Sequence, residues 1–244
     1  SLAKVDEEWV PLQVKAFSRW VSSQLSNVSR ENGNEIEDIT KDLSNGVALV
    51  ELAQALTHKN APRQWAHDPK RNVDMVQNCD LAVDMFSKDG VRLVGISGKD
   101  VSDNNEKLIL GLIWSLILQY SIGQSVSDTL SKNNNFDAKE NTKSQFQNTE
   151  QALKGWANER TADYPNIQDF KPYELSMCAL LDSYVPEKIN YYSLDPHNTA
   201  ANAQLATNVM DELGIPVLVY PDEVSNSNSN VDDKTLLTQL ATAK

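Results

Sequence analysis

Between Lys107 and Tyr120 the chain reads KLILGLIWSLILQY, and no other segment restricts the fold as tightly. Leu108, Ile109, Leu110, Leu112, Ile113, Trp114, Leu116, Ile117 and Leu118 fall on every side of a helical wheel. A helix that is apolar all round must be buried all round. The run from Leu108 to Leu118 is well short of the roughly 18 residues that suggest a membrane span. It therefore predicts the central helix of a small bundle, and no transmembrane segment is expected. A domain of about 110 residues has too much surface for its volume to wrap one helix completely. Part of this apolar surface is thus expected to emerge and to be covered by a partner or by a second domain.

The flanking segments carry the helical period as well. Val14, Phe17, Val21 and Leu25 recur at three and four, the stripe of an amphipathic helix. Asp42-Leu43-Ser44-Asn45-Gly46 reads as a turn and N-cap leading into a helix from Val47 to Leu56. A further amphipathic stretch, Asn78–Ser87, stops at Asp89-Gly90, and Asn104 or Asn105 is placed to cap the helix that begins at Glu106. No segment alternates as a strand should. Val217–Tyr220 is β-prone, but Pro216 and Pro221 bracket it too tightly.

A length of 244 residues suits two domains better than one, and the chain weakly repeats itself. Phe17-Ser-Arg-Trp20 is echoed by Leu153-Lys-Gly-Trp156, and Asp42-Leu43 before Val47-Ala48-Leu49 by Asp169-Phe170 before Met177–Leu180. Val101-Ser102 ahead of Lys107–Leu110 returns as Val224-Ser225 ahead of Lys234–Leu237. Between the copies, Ser121–Gln145 is poor in apolar residues and rich in Asn, Ser, Lys and Asp, as a linker is. The expected organisation is a first domain over 8–122, a linker over 123–145 and a second domain over 146–244.

Charge narrows the choice of partners. The net charge of −12 argues against nucleic acid and anionic membrane surfaces. Residues 1–122 carry 13 Lys and Arg against 17 Asp and Glu, whereas the remainder carries 9 against 17. An acidic partner is therefore repelled less by the first half. Acids in Ser1–Glu8 stand where a signal peptide needs an apolar run. Cys79 and Cys178 lie in different halves without metal-ligand spacing, the pattern of reduced thiols in a cytoplasmic protein. The sequon Asn27-Val28-Ser29 is then expected to stay unmodified.

Lys107–Ile122 resembles the last long helix of the first calponin-homology domain of filamins almost residue for residue. Gly90–Ser97 and Asp100–Asn105 are similar to the loop introducing that helix in filamins and α-actinins, and Asp42–Leu52 resembles the family's Asp-Leu-x-Asp-Gly-x-x-Leu motif. Ile189-Asn-Tyr191, Asn202, Leu213–Pro216 and Asp222–Val224 resemble second calponin-homology domains. The second half departs where the family carries Trp-x-Asp-Gly, having Lys171–Leu175 instead, and its last helix from Asp233 has no Trp. The resemblance implies an all-α chain of two tandem calponin-homology domains joined by a polar linker, within the filamin/α-actinin/spectrin superfamily and most like filamin.

It further implies a module that binds the actin filament (F-actin) in the cytoplasmic cytoskeleton. The first domain is expected to dominate and the second to modulate, with dimerisation, where it occurs, through regions outside this chain. A calponin-homology signalling adaptor or a microtubule-associated protein is the alternative. The family's filament contacts carry over to Gln13–Leu25, Val101–Tyr120 and Thr149–Arg160. Within them the expected actin-binding residues are Lys15, Ser18, Arg19, Ser22 and Ser23, then Ser102, Asn104, Lys107, Leu110 and Gln119. With Val14, Phe17, Val21 and Leu25 inward, the first five are expected to lie toward solvent. The resemblance also implies that the two domains close on each other through Trp114 and Lys234, a cation–π contact worth roughly 0.5–2 kcal/mol.

Nothing in the sequence suggests catalysis, so no catalytic residue, cofactor or metal is expected and the chain is not read as an enzyme. His58, His67 and His197 lack ligand spacing, the nine glycines form no phosphate-cradling loop, and the acids from Asp222 to Asp233 lack EF-hand order.

Overall fold

The computed structural model describes residues 10–26, 36–123, 142–226 and 231–243. The acidic N-terminus, the sequon at 27–29, most of the expected linker and most of the Asn226–Asn230 loop lie outside the described residues. Among these, every regular element is helical, and Gln168 and Lys171 form only an isolated bridge. The residues divide into two compact units, Val14–Tyr120 and the later part of the chain from Ser121, with which the first turn of the first helix up to Gln13 is grouped.

In the earlier unit, α1 (Val10–Leu25) buries Ala16, Phe17, Trp20, Val21 and Leu25. The short α2 (Ile39–Asp42) starts at Asp38, whose carboxylate accepts from Thr40 N–H at 2.9 Å. Then α3 (Val47–Thr57) opens at Gly46. That residue must be glycine: its φ is +76°, and a Cβ would stand 2.4 Å from Asn78 Cβ. The Asn45 side chain accepts from Val47 N–H at 2.9 Å, so the DLSNG segment acts as the turn and cap its sequence predicts. The Asn78–Ser87 stretch lies inside a longer helix, α4 (Asn72–Lys88).

A capping box starts α5 (Gly98–Ser102), with Ser97 and Asp100 bonding each other's backbone N–H groups. Those Ser97 bonds hold the Asp100 carboxyl below its ordinary range. Gly98 donates to Asp80 Oδ1 at 2.8 Å and approaches α4 too closely for any side chain. Asn105 then caps α6 (Glu106–Ile117), accepting from Leu108 N–H at 3.3 Å. Ile109, Leu110, Leu112, Ile113, Leu116 and Ile117 are buried on α6, whereas Leu108, Gly111, Trp114 and Ser115 are half-buried. The helix is central but keeps one seam at the surface, as the size of the domain requires. It runs on into a π-helical turn, Leu118–Ile122.

The later unit contains α7 (Thr142–Thr161), α8 (Tyr173–Asp182), a 3-10 turn at Tyr191–Ser193, α9 (Thr199–Glu212), α10 (Pro221–Asn226) and α11 (Asp233–Ala243). Helix α7 already begins at Thr142, within the stretch read as linker. Every residue from Tyr173 to Leu181 is buried, so α8 is the core helix here. The β-prone run after Pro216 is buried at Val217–Val219 without pairing as a strand. Gln239 of α11 replaces the missing ladder: its Oε1 accepts from Leu218 N–H at 2.7 Å and its Nε2 donates to Pro216 O at 2.9 Å. Cys79 and Cys178 are free and buried, one in each unit, and burial pushes both thiols up to about 12.

Candidate functional site

Helix α1 presents its cations as the amphipathic stripe requires, with Lys15 exposed and Arg19 half-buried one turn later. Ser22 and Ser23 are half-buried, and their hydroxyls donate to Ile36 O at 3.2 Å and Trp20 O at 2.7 Å. Ser18 corrects the expectation that it faces solvent. It is 1% exposed, its hydroxyl donates to Val14 O at 2.7 Å, and the same oxygen accepts from Ile39 N–H at 3.0 Å. The reason is local: Ile39 opens α2, where the first N–H groups have no partner within the helix. A hydroxyl on the neighbouring helix supplies one, so Ser18 belongs to the core.

The second expected patch follows the α5–α6 connection. Asn104 adopts φ of +58°, a left-handed conformation that short polar side chains tolerate, and is exposed beside exposed Lys107. Ser102 is half-buried, with its hydroxyl 3.5 Å from Asn72 Oδ1. Leu110, expected at the filament, is 8% exposed and packs inward. An α6 side chain pointing into the bundle has little surface to offer a partner. Gln119 is half-buried on the π-helical turn.

Trp114 occupies the surface seam of α6. Its ring lies parallel to that of buried Phe17, at 5° with centroids 6.2 Å apart, so an aromatic stack ties α6 to α1. The tryptophan is half-buried rather than fully exposed. Lys234 is exposed on the first turn of α11.

Sequence reasoning missed a polar anchor at the end of α6. Tyr120 donates to Asp89 Oδ2 at 2.8 Å, and Lys59 reaches Asp89 Oδ1 at 2.5 Å. Lys59, then Tyr120, hold the Asp89 carboxyl below its ordinary range, while burial and Asp89 push the Tyr120 phenol up. The Asp89-Gly90 stop was legible, but its long-range partners carry no local signal.

On the later unit's α7, described side chains begin at Glu150, with Leu153 and Ala157 buried and Trp156 half-buried. Arg160 lies 4.2 Å above the Tyr184 ring, and Lys154 pairs with Asp233 of α11 at 2.6 Å. Among the described residues, no three His, Cys, Asp or Glu side chains converge to hold a metal ion, and no helix is long and apolar enough to cross a membrane.

Comparison with known proteins places these surfaces in a family. The calponin homology (CH) domain model matches residues 11–122 and again 147–243. Interaptin of Dictyostelium discoideum is 32% identical over 243 residues, 98% of this chain and 13% of that protein. Alpha-actinin-like protein 1 of Schizosaccharomyces pombe is 31% identical over 84% of this chain and 31% of its own length. Filamin-C of Rattus norvegicus is 28% identical over 97% of this chain and 8% of its own length. The chain thus spans less than a third of each of these relatives. The solved actin-crosslinking core of S. pombe fimbrin superposes over 96% of this chain and 47% of that one, with a TM-score of 0.68 and 20% identity, a likeness of fold. With the family model matched over both halves, the chain belongs to the calponin homology domain family and carries two copies in tandem.

Proposed function

We propose that this chain is an actin-filament-binding module of a filamin-like cytoskeletal cross-linker, with no catalytic role. The observation that carries the reading is the tandem pair itself, which aligns nearly end to end with interaptin and filamin-C and, in fold, with the actin-crosslinking core of fimbrin. The first domain supplies most of the affinity. Supporting this, it has the smaller negative charge and the surface cations Lys15, Arg19 and Lys107 on the segments that resemble the family's filament contacts. The second domain modulates. In this reading Trp114 and Lys234 bridge a closed arrangement of the pair, so Lys234→Glu opens it and tightens filament binding. Unchanged or weaker pelleting of that variant counts against the bridge.

Cosedimentation of the 244-residue chain with actin filaments and with microtubules, at low and moderate salt, tests the function. Saturable pelleting with actin alone is expected. Failure to pellet with actin, or a preference for microtubules, removes the reading.

A further inference from the structure

On the later unit, four segments bring aromatic rings to one face. Trp156 and Arg160 come from α7, Tyr164 from the turn that follows it, Tyr184 from just past α8, and Tyr191 and Tyr192 from the 3-10 turn. Arg160 lies 4.2 Å over the Tyr184 ring, whose centroid is 6.4 Å from that of Trp156. Tyr164 stacks on Tyr192 at 16° with centroids 6.0 Å apart, and Tyr191 meets both edge-on, at 4.9 and 5.8 Å. The Arg160 charge also reaches the Tyr164 phenol, so the two groups of rings adjoin.

Much of this aromatic surface is open to water. Tyr192 is 70% exposed and Tyr184 52%. Exposed apolar surface that is contiguous, rather than scattered singly, marks an interaction site. Tyr192 is stacked by Tyr164 on one face only, so its other face is presented to solvent.

The face is braced from behind. Asp182 Oδ2 accepts from the Tyr164 hydroxyl at 2.6 Å, and its Oδ1 accepts from Tyr191 N–H at 3.3 Å. The hydroxyl of buried Tyr191 in turn donates to Pro165 O at 2.6 Å. A surface fixed in this way loses little conformational freedom when a partner docks.

The surrounding charge selects the partner. Residues 156–192 carry six acids against three cations. Arg160 already lies on Tyr184, and Lys188 pairs with Glu212 at 2.7 Å. Glu159, Asp163 and Glu187 are exposed, next to Arg160, Tyr164 and the Tyr184 turn in sequence. Tyrosine faces attract cations, and the contact of Arg160 with Tyr184 shows that a guanidinium fits on this surface.

We propose that this aromatic, acid-flanked face of the second domain docks a basic segment of a partner protein, seating an Arg or Lys side chain on the open face of Tyr192. Neighbouring acids raise the local concentration of such a segment, and the rings hold it.

The test measures binding of a fluorescein-labelled octa-arginine peptide to the whole chain at moderate salt, with thermal melting alongside. A chain of net charge −12 attracts any polycation, so variants that leave the charge unchanged decide the matter. Tyr192→Ala and Tyr184→Ala are each expected to weaken binding between about twofold and thirtyfold, the range of one lost cation–π contact. Tyr192→Phe keeps the ring and should bind as the unaltered chain does. Tyr220→Ala removes an exposed tyrosine outside these ring contacts and should also leave binding unchanged. Should Tyr184→Ala melt early, Tyr192→Ala, at the more exposed position, decides alone. The proposal is overturned if octa-arginine does not bind, if Tyr192→Ala binds as tightly as the unaltered chain, or if Tyr220→Ala weakens binding equally. Flotation with phosphatidylserine vesicles covers the other source of recognition: if the chain floats and Tyr192→Ala abolishes it while peptide binding persists, the face serves a membrane and the proposal is wrong.

Discussion

Replacing Ser18 with alanine separates a core role from a binding role at one atom. The Ser18 hydroxyl is the sole hydrogen-bond partner of Ile39 N–H among the described residues, at 3.0 Å, and both groups are buried. Its loss leaves that N–H unsatisfied, at a cost of about 1–3 kcal/mol. Alanine in the interior of α1 returns up to about 0.5 kcal/mol through its better helix propensity. The net loss is then about 0.5–2.5 kcal/mol, or a fall of about 2–12 °C in the melting of the first domain. Ser23→Ala is the control, because that hydroxyl bonds only within its own helix, donating to Trp20 O and accepting from Gln24 Nε2, and it should change melting little. Calorimetry and circular dichroism read the stability, and actin cosedimentation well below the transition reads the binding. Ser18→Ala should melt earlier and pellet normally. Unchanged melting with weakened pelleting would show that Ser18 faces the filament after all, and the burial argument would be wrong.

Glu174 is 3% exposed on α8 and its Oε2 has no hydrogen-bond partner, so Glu174→Met, which keeps the volume, should stabilise the second domain by about 1–3 kcal/mol; a lower melting temperature would contradict this. Gly46→Ala sets a Cβ 2.4 Å from Asn78 Cβ at a φ of +76° and should cost about 2–4 kcal/mol, read by urea unfolding. Asp89 titrates below its ordinary range in the folded state, so its pairing stabilises above the unfolded carboxylate value of about 4 and is lost as pH falls through the lower, folded value. Because Lys59 is largely exposed, Asp89→Asn should cost no more than about 1 kcal/mol at neutral pH. Its deficit should vanish in strong acid, and a deficit independent of pH would assign the effect to packing.

Much of the fold was legible because its signals are local. The apolar Lys107–Tyr120 run announced a central helix, the DLSNG turn announced α3, and Asn105 caps α6 where a short polar residue was expected. What escaped depends on partners distant in sequence. Periodicity counts apolar residues and cannot see a serine whose neighbour is a backbone N–H 21 positions away. Nor can it show that Gln239 completes Val217–Val219, which therefore sits in the core without a strand. Leu110 lay within a segment carried over whole, although only some of its side chains reach the surface.

The most direct measurement is an electron cryo-microscopy reconstruction of actin filaments decorated with this chain. The expected density places the first CH domain against the filament, with Lys15, Arg19 and Lys107 at the contact and the second domain farther out. A filament contacted mainly by the second domain, or one left bare at saturating protein, would contradict the filament-binding role proposed for the first domain.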